Sequence, residues 1–160
     1  MSTPQTHNPA EDILAEFEVE LDPANRNRRF INFLVDRFVF YFFYKGFVWL
    51  WLYISVPIYF EDYYLRYIFN IMLGLLVYAL FMGITEALFR GKTLGKLFTG
   101  TRAVTAEGRN ISIETALLRG LSRAVPFEFF SAFGGQWPNP WHDKWTNTYV
   151  VVERTSTLRL

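Results

Sequence analysis

The residues best placed to do chemistry are carboxylates that lie near arginines in apolar surroundings. Arg29 and Asp36 are seven residues apart, so on a helix they share nearly one face, with Asp36 roughly 10 Å deeper. Glu86 lies four residues before Arg90, about 6 Å inside its own boundary, and reaches a depth similar to that of Asp36. Charges inside a membrane cost free energy, which predicts a hydrated site that binds a cation or relays a proton. The alternative is that these charges form structural pairs that fix the helices at the membrane boundary.

Composition excludes several other kinds of chemistry. The 160 residues contain no cysteine and two histidines, which excludes a disulfide framework, a thiolate zinc site and an iron–sulfur cluster. We therefore expect no cofactor and no metal. Gly91-Lys92-Thr93 is not a phosphate loop, because Glu86 stands where the first glycine of that motif is needed. We expect no enzymatic activity, and a lipid-modifying enzyme that uses His142 and Asp143 remains a minor third hypothesis.

Two long apolar segments position these residues. Residues 38–60 contain 12 aromatic residues and one charge, Lys45, while residues 67–85 contain no charge. About 20 apolar residues are enough to cross a bilayer, so the sequence predicts transmembrane helices over about 30–58 and 67–89. Gly46 and Pro57 loosen the first of them. Residues 1–25 form an acidic tail that lacks the basic start of a signal peptide, so we expect the first span to be retained.

The distribution of basic residues predicts the orientation. Arginines precede the first span and several lysines and arginines follow the second, whereas Arg66 alone lies in the connection between them. The positive-inside rule therefore predicts a multi-pass protein of the bacterial cytoplasmic membrane whose N-terminus is cytoplasmic. The lipid bilayer is the expected partner. Nucleic acid is not, since residues 10–24 carry six acidic and no basic residues.

The remaining sequence predicts shorter elements at the boundary. Residues 113–133 contain leucines at helical spacing and two arginines on the other side of the helix. This pattern predicts a third apolar segment that is amphipathic or re-entrant, and a kinked third span is the alternative. Residues 146–153 have strand character and predict a short β-hairpin-like cytoplasmic element with a strand near Arg102, followed by a tail over 154–160. Lys92 and Lys96 are expected near anionic headgroups. Ala79, Gly83 and Ala87 form a stripe of small residues that favours helix packing.

These segments resemble the RDD family of small bacterial membrane proteins, named for one arginine and two aspartates. Arg29 to Asp36 is similar to the opening motif, 91–104 to the central glycine and lysine segment, 118–123 to the arginine-bearing helix and 142–151 to the closing segment. The resemblance covers about 28–152 and implies that Arg29, Asp36 and Asp143 are the signature positions. The aromatic richness is similar to that of Bacteroidetes members. Cation/proton antiport and transport of unidentified ligands are the activities that the family suggests.

The sequence therefore predicts an all-α integral membrane protein with two transmembrane helices and an RDD-like membrane domain over 26–153. The leading hypothesis is a homo-oligomer that transports a cation, proton or small solute, with Arg29, Asp36, Glu86 and Asp143 as ligand or ion-binding residues. The alternative is a membrane adaptor or assembly factor whose signature charges are structural and whose cytoplasmic face binds a partner.

Overall fold

The structure is a computed structural model that describes residues 20–54, 62–133, 139–156 and 158. In these ranges the chain forms five α-helices, one 3-10 helix and a two-stranded sheet. Most of the predicted acidic tail, Pro57, which we expected to loosen the first span, and part of the C-terminal tail lie outside the described residues.

Two long helices carry the apolar sequence. Helix α1 runs over Arg26–Ile54 and begins after Asn25, whose side-chain oxygen accepts a hydrogen bond of 3.0 Å from the N–H of Arg28. Helix α2 runs over Tyr63–Leu88, and Asp62 caps it by accepting the N–H of Tyr64 at 2.7 Å. These helices coincide with the two predicted spans, apart from residues 55–58, which are not described.

Among the described helices, α2 is the one long and apolar enough to cross a membrane. Helix α1 has 29 residues, but Arg37, Lys45 and its many tyrosines and tryptophans make it less apolar. The prediction of two spans is therefore supported by length and composition for α2 alone. Both helices expose large apolar side chains, among them Phe38, Phe42, Trp49, Tyr64, Leu65, Ile68 and Met72. An exposed apolar surface of this extent is typical of a chain that faces lipid.

The third apolar segment does not form one long helix. It divides into α4, Ile113–Arg123, and a 3-10 helix, Glu128–Phe133, and between them Phe127 adopts a left-handed conformation with φ 68°. Helix α4 is about 16 Å long at 1.5 Å per residue, roughly half the thickness of the hydrocarbon core. Neither piece by itself is long enough to cross a membrane.

Helix α4 buries its charged face and exposes its apolar one. Arg119 is completely buried, whereas Leu118 and Leu121 are 50% and 49% exposed. In a water-soluble protein the leucines of such a helix face the core. The inverted arrangement exposes the leucines of α4 on the surface and turns its arginines toward α2.

The stripe of small residues on α2 is the contact surface for α4. A Cβ atom at Gly120 would lie 2.3 Å from the carbonyl oxygen of Ala79, and one at Gly83 would lie 3.1 Å from the Cα of Leu117. The predicted packing role is confirmed, since Ala79 is 2% exposed. Its partner is a helix of the same chain, so this part of the stripe is not open to a second copy.

A two-stranded antiparallel sheet closes the fold next to the helices. Strand β1, Thr101–Thr105, pairs with β2, Thr148–Val152, in a register that sets Ala103 opposite Val150. The predicted pairing is confirmed, but the hairpin-like description is wrong, because α4, the 3-10 helix and α5, Trp141–Trp145, lie between the strands. Short helix α3, Leu94–Thr99, precedes β1. We call everything from α3 to β2 the boundary module.

Candidate functional site

Asp143 is the first of two buried carboxylates that join the boundary module to the long helices. Nη1 of Arg29 on α1 lies 2.5 Å from Oδ2 of Asp143 on α5, and Nη1 of Arg119 on α4 lies 2.7 Å from Oδ1. Burial by itself raises the pKa of Asp143, but Arg119, His142 and Arg29 outweigh it and hold the pKa well below its usual range. Asp143 is therefore ionised at neutral pH.

Glu86 near the end of α2 is the second of these carboxylates. Its Oε2 lies 3.0 Å from Nε of Arg119, its Oε1 lies 3.0 Å from Nη2 of Arg123, and Nζ of Lys96 also bonds to Oε1. The Glu86 side chain is fully buried. Burial lowers the pKa of the Lys96 ammonium to about 8, although Glu86 favours its charged form.

Arg119 connects these two carboxylates into one group. It contacts both of them and also donates to the hydroxyl of Thr148 on β2. Buried ions cost much free energy unless each has a partner of opposite sign, and these ions do. We call the group Arg29, Glu86, Lys96, Arg119, Arg123 and Asp143 the charge cluster.

Asp36 is buried on α1 and caps the start of α3. One of its oxygens accepts the Thr93 hydroxyl at 2.6 Å and the other accepts the N–H of Gly95 at 2.7 Å. Helices α1 and α3 can approach closely because residue 95 is a glycine. A Cβ atom at this position would lie 2.4 Å from the backbone oxygen of Asn32. Asp36 therefore fixes α3 against α1.

A half-enclosed cavity of about 80 Å³ lies between α1, α2 and the boundary module. Four cationic side chains and two carboxylates face it, together with aromatic residues and His142. The charged ones are Arg26, Arg29, Asp36, Lys96, Arg123 and Glu128. We call it the boundary cavity. It has room for several water molecules or one small ion.

His142 and Glu128 form a pair in the wall of this cavity. Nδ1 of His142 lies 2.6 Å from a carboxylate oxygen of Glu128, and Nε2 lies 3.5 Å from Oδ1 of Asp143. Burial lowers the pKa of His142. For Glu128, burial is the largest single effect and raises the pKa, but the hydrogen bonds and charge of His142 and the charge of Arg123 together outweigh burial and leave the pKa lowered. At neutral pH the imidazole is neutral and donates its Nδ1 proton to an ionised Glu128.

A protein-family model for the RDD family matches residues 23–147. The chain belongs to the RDD family. Comparison with curated proteins and with solved structures finds no match to this chain. The RDD family is a membrane-associated family of unknown function, so membership together with the apolar helix α2 indicates a membrane location.

The three RDD signature positions lie on one side of the molecule but divide into two sites. Arg29 and Asp143 form a direct ion pair, whereas Asp36 bonds to Thr93 and Gly95. Arg29 and Asp36 both line the boundary cavity. Glu86, the fourth predicted residue, belongs to the charge cluster and is absent from the cavity lining.

Two other arginines that lie near these carboxylates in the sequence, Arg37 and Arg90, contact different groups. The guanidinium of Arg37 stacks over the ring of Tyr78 at 4.6 Å, and the carbonyl of Arg90 accepts a hydrogen bond from Arg102. The expected headgroup contact of Lys96 is wrong, because this lysine is 3% exposed and pairs with Glu86. Lys92 instead pairs with Glu153 at 2.8 Å.

Sequence reasoning missed the cations that neutralise Glu86. Arg119 and Arg123 are four residues apart on α4, opposite exposed leucines, and from the sequence this pattern indicates only an amphipathic or re-entrant segment. In a membrane the same pattern indicates that the arginines face inward, because buried arginines need partners of opposite charge and leucines can face lipid. Treating the chain as a membrane protein would therefore have identified Arg119 and Arg123 as partners of a buried carboxylate.

Proposed function

We propose that this RDD-family protein is a multi-pass protein of the bacterial cytoplasmic membrane, with a cytoplasmic N-terminus, that moves a small solute. The observation that carries the proposal is the boundary cavity. Charged side chains of both signs line this cavity, which lies beside α2, the helix that is long and apolar enough to cross a membrane. A cytoplasmic N-terminus places this cavity, next to Arg26 and Arg29, at the cytoplasmic boundary. It is then the site where the solute enters or leaves.

The charges around the boundary cavity favour a small anion or zwitterion over a metal cation. Its lining carries four cations against two carboxylates, Asp36 and Glu128. Asp36 already accepts two hydrogen bonds, and Glu128 accepts one from His142. Glu86 and Asp143 neutralise part of the charge of Arg29, Lys96 and Arg123, but with Arg119 the cations in and behind the lining still outnumber the carboxylates by five to four. An additional cation would therefore be repelled, since repulsion between like charges is strong in a site shielded from water.

A pathway across the membrane requires more than one copy of the chain. Two long helices cannot enclose a channel, so we propose a homo-oligomer. The stripe around Gly83 is occupied by α4, which leaves the exposed aromatic face of α1 for the contact between copies.

The test is flux into proteoliposomes that contain the purified full-length protein. The probes are formate, as a small anion, and potassium, as a cation. We expect formate to enter faster than potassium, and Asp36→Asn to increase that preference because it removes a negative charge from the lining. Glu153→Gln is the matched control, since it removes the same charge outside the cavity and should change nothing.

Two outcomes would contradict this proposal. If neither probe enters faster than into protein-free vesicles, the transport function fails. If potassium enters faster than formate and Asp36→Asn abolishes its entry, the site binds a cation and Asp36 is its ligand, as the sequence alone suggested.

A second function is favoured by the internal pairing of the signature charges. Arg29 and Asp143 satisfy each other and Asp36 caps α3, which suits a membrane adaptor or assembly factor whose charges are structural. Such a protein needs an exposed face for its partner. Trp141 and Trp145 on α5 stack at 5.6 Å and are 38% and 57% exposed.

The adaptor hypothesis is tested at that tryptophan pair. The boundary module shares the charge cluster with α1 and α2, so its deletion would unfold the protein rather than test binding. Trp141→Ser with Trp145→Ser instead changes only exposed side chains. Photocrosslinking in native membranes from a probe at Tyr149 should give a protein adduct that the double variant loses. An unchanged adduct pattern counts against this hypothesis.

A further inference from the structure

A second concavity lies at membrane depth between the two long helices. It has a volume of about 420 Å³ and is open on one side. Phe40 and Tyr44 of α1 form one wall, residues 70–78 of α2 form the other, and the turn at 125–127 closes one end. We call it the membrane groove. Gly74 lies opposite Tyr44 across the groove, because a Cβ atom at Gly74 would lie 3.5 Å from the Tyr44 hydroxyl and 3.9 Å from its Cζ.

The groove is amphipathic along its length. Arg37 and Arg123 lie at the end near the boundary module, and apolar and aromatic side chains continue toward Tyr44 and Asn70. The seven residues from Arg37 to Tyr44 correspond to roughly 11 Å along the helix. This is most of the depth of one leaflet, which is about half of a 30 Å hydrocarbon core.

Both arginines at the polar end have unused capacity to bind an anion. In the described part of the chain, Nη1 of Arg123 is buried without a hydrogen-bond partner, and the Arg123 side chain is 8% exposed. No carboxylate within the described ranges lies within salt-bridge distance of Arg37, whose guanidinium stacks on Tyr78 and lies 5.6 Å from the Phe33 ring. Glu128 also lines this end, but it is engaged by His142.

A groove with these two ends fits an anionic phospholipid. Guanidinium groups bind phosphate through several charge-assisted hydrogen bonds, and basic pockets between membrane helices bind anionic headgroups. We propose that the membrane groove binds one anionic phospholipid, with its phosphate at Arg37 and Arg123 and an acyl chain along Tyr44 and Gly74. The site is separate from the boundary cavity, although Tyr78, Arg123 and Glu128 face both.

Native mass spectrometry of the purified full-length protein tests the headgroup end. The probes are phosphatidylglycerol, phosphatidylcholine and inorganic phosphate, each added to delipidated protein in detergent. We expect one phosphatidylglycerol to be retained in preference to phosphatidylcholine. Arg37→Gln should weaken that binding at least about tenfold, because it removes charge-assisted hydrogen bonds. Arg66→Gln is the matched control, since Arg66 also lies over a tyrosine ring, at 5.9 Å from Tyr63, but at the far end of α2.

The acyl-chain end is tested by filling the groove without changing charge. Gly74→Leu should reduce retention of phosphatidylglycerol, whereas Gly46→Leu should not, because Gly46 does not line the groove and a Cβ atom there meets nothing within 4 Å. Circular dichroism of each variant shows that it is folded. The readout is lipid binding, so its outcome is independent of solute flux.

Three results would overturn the lipid site. The first is equal retention of the two lipids. The second is loss of phosphatidylglycerol in Arg66→Gln to the same degree as in Arg37→Gln. The third is displacement of the lipid by millimolar inorganic phosphate together with unchanged retention in Gly74→Leu, which would identify a free-phosphate site instead.

Discussion

The stability of the protein should depend on Glu86 more than on any exposed carboxylate. In Glu86→Gln, Arg119 keeps Asp143 and Thr148 as partners. Lys96 and Arg123 lose the one carboxylate that pairs with each of them among the described residues. Breaking a buried ion pair costs about 3–5 kcal/mol, because an unpaired charge is left away from water. Two cations are affected and the glutamine oxygen retains one hydrogen bond, so we expect a loss of about 4–5 kcal/mol.

Glu153→Gln is the control for this measurement. Glu153 also pairs with two cations, Lys92 at 2.8 Å and Arg102 at 2.5 Å, but its side chain is 26% exposed. Exposed ion pairs contribute about 0–1 kcal/mol, so its free energy of unfolding should hardly change. The same chemical substitution is thus compared in a buried and in a solvated network.

The assay is unfolding of both purified variants by sodium dodecyl sulfate, followed by tryptophan fluorescence in mixed micelles. The double variant Glu86→Gln with Lys96→Met removes one of the stranded cations. It should recover part of the loss, and a double-mutant cycle measures the coupling between Glu86 and Lys96. If Glu86→Gln and Glu153→Gln differ by less than about 1 kcal/mol, the charge cluster does not hold the boundary module to α2.

The other predictions concern helix packing and pH. Gly120→Ala should reduce the free energy of unfolding by about 1–3 kcal/mol, because its Cβ would lie 2.3 Å from the Ala79 oxygen. Gly46→Ala is the control and should be neutral or stabilising by up to about 1 kcal/mol. Thermal unfolding of the two variants measures the difference. Burial lowers the pKa of His142, so the unfolded chain binds more protons than the folded one, and stability should fall as the pH drops below about 6.5. His142→Gln should flatten the dependence of the melting temperature on pH between 7 and 5. An unchanged slope would show that other groups cause this pH dependence. The pKa of Asp143 is lowered in the folded protein, so its contribution to stability is present above about pH 4 and is lost as the pH falls below that. In an acid titration followed by circular dichroism, the Asp143→Asn variant should not show this loss.

The long helices could be predicted because their signals are local. The uncharged run over 67–85 became α2, and the small residues Ala79 and Gly83 on it became a helix contact. Serine is a residue type typical of helix N-caps, and Ser112 before α4 accepts the N–H of Thr115 at 3.1 Å. Pairing of the strands near Arg102 and over 146–153 followed from their β-branched and aromatic residues.

The partners of the charged residues could not be predicted in the same way. Spacing put Asp36 and Glu86 at one depth, which suggested a shared pocket, yet the first caps α3 and the second binds Lys96 and Arg119. Helical spacing fixes the face on which a residue lies. It does not specify which element packs there, and α4 folding back onto α2 decided the outcome.

The sequence by itself determined that this chain belongs to the membrane-associated RDD family and contains an uncharged apolar run over 67–85. Composition and periodicity depend on residues that are close together in the sequence, so they can be interpreted without knowing the fold. The tertiary structure alone decided that Arg29 meets Asp143, 114 residues later. It also decided that the arginines of α4 face inward and its leucines outward. Both results depend on long-range packing in a low-dielectric environment, where each buried charge must find a counter-charge wherever the chain brings one.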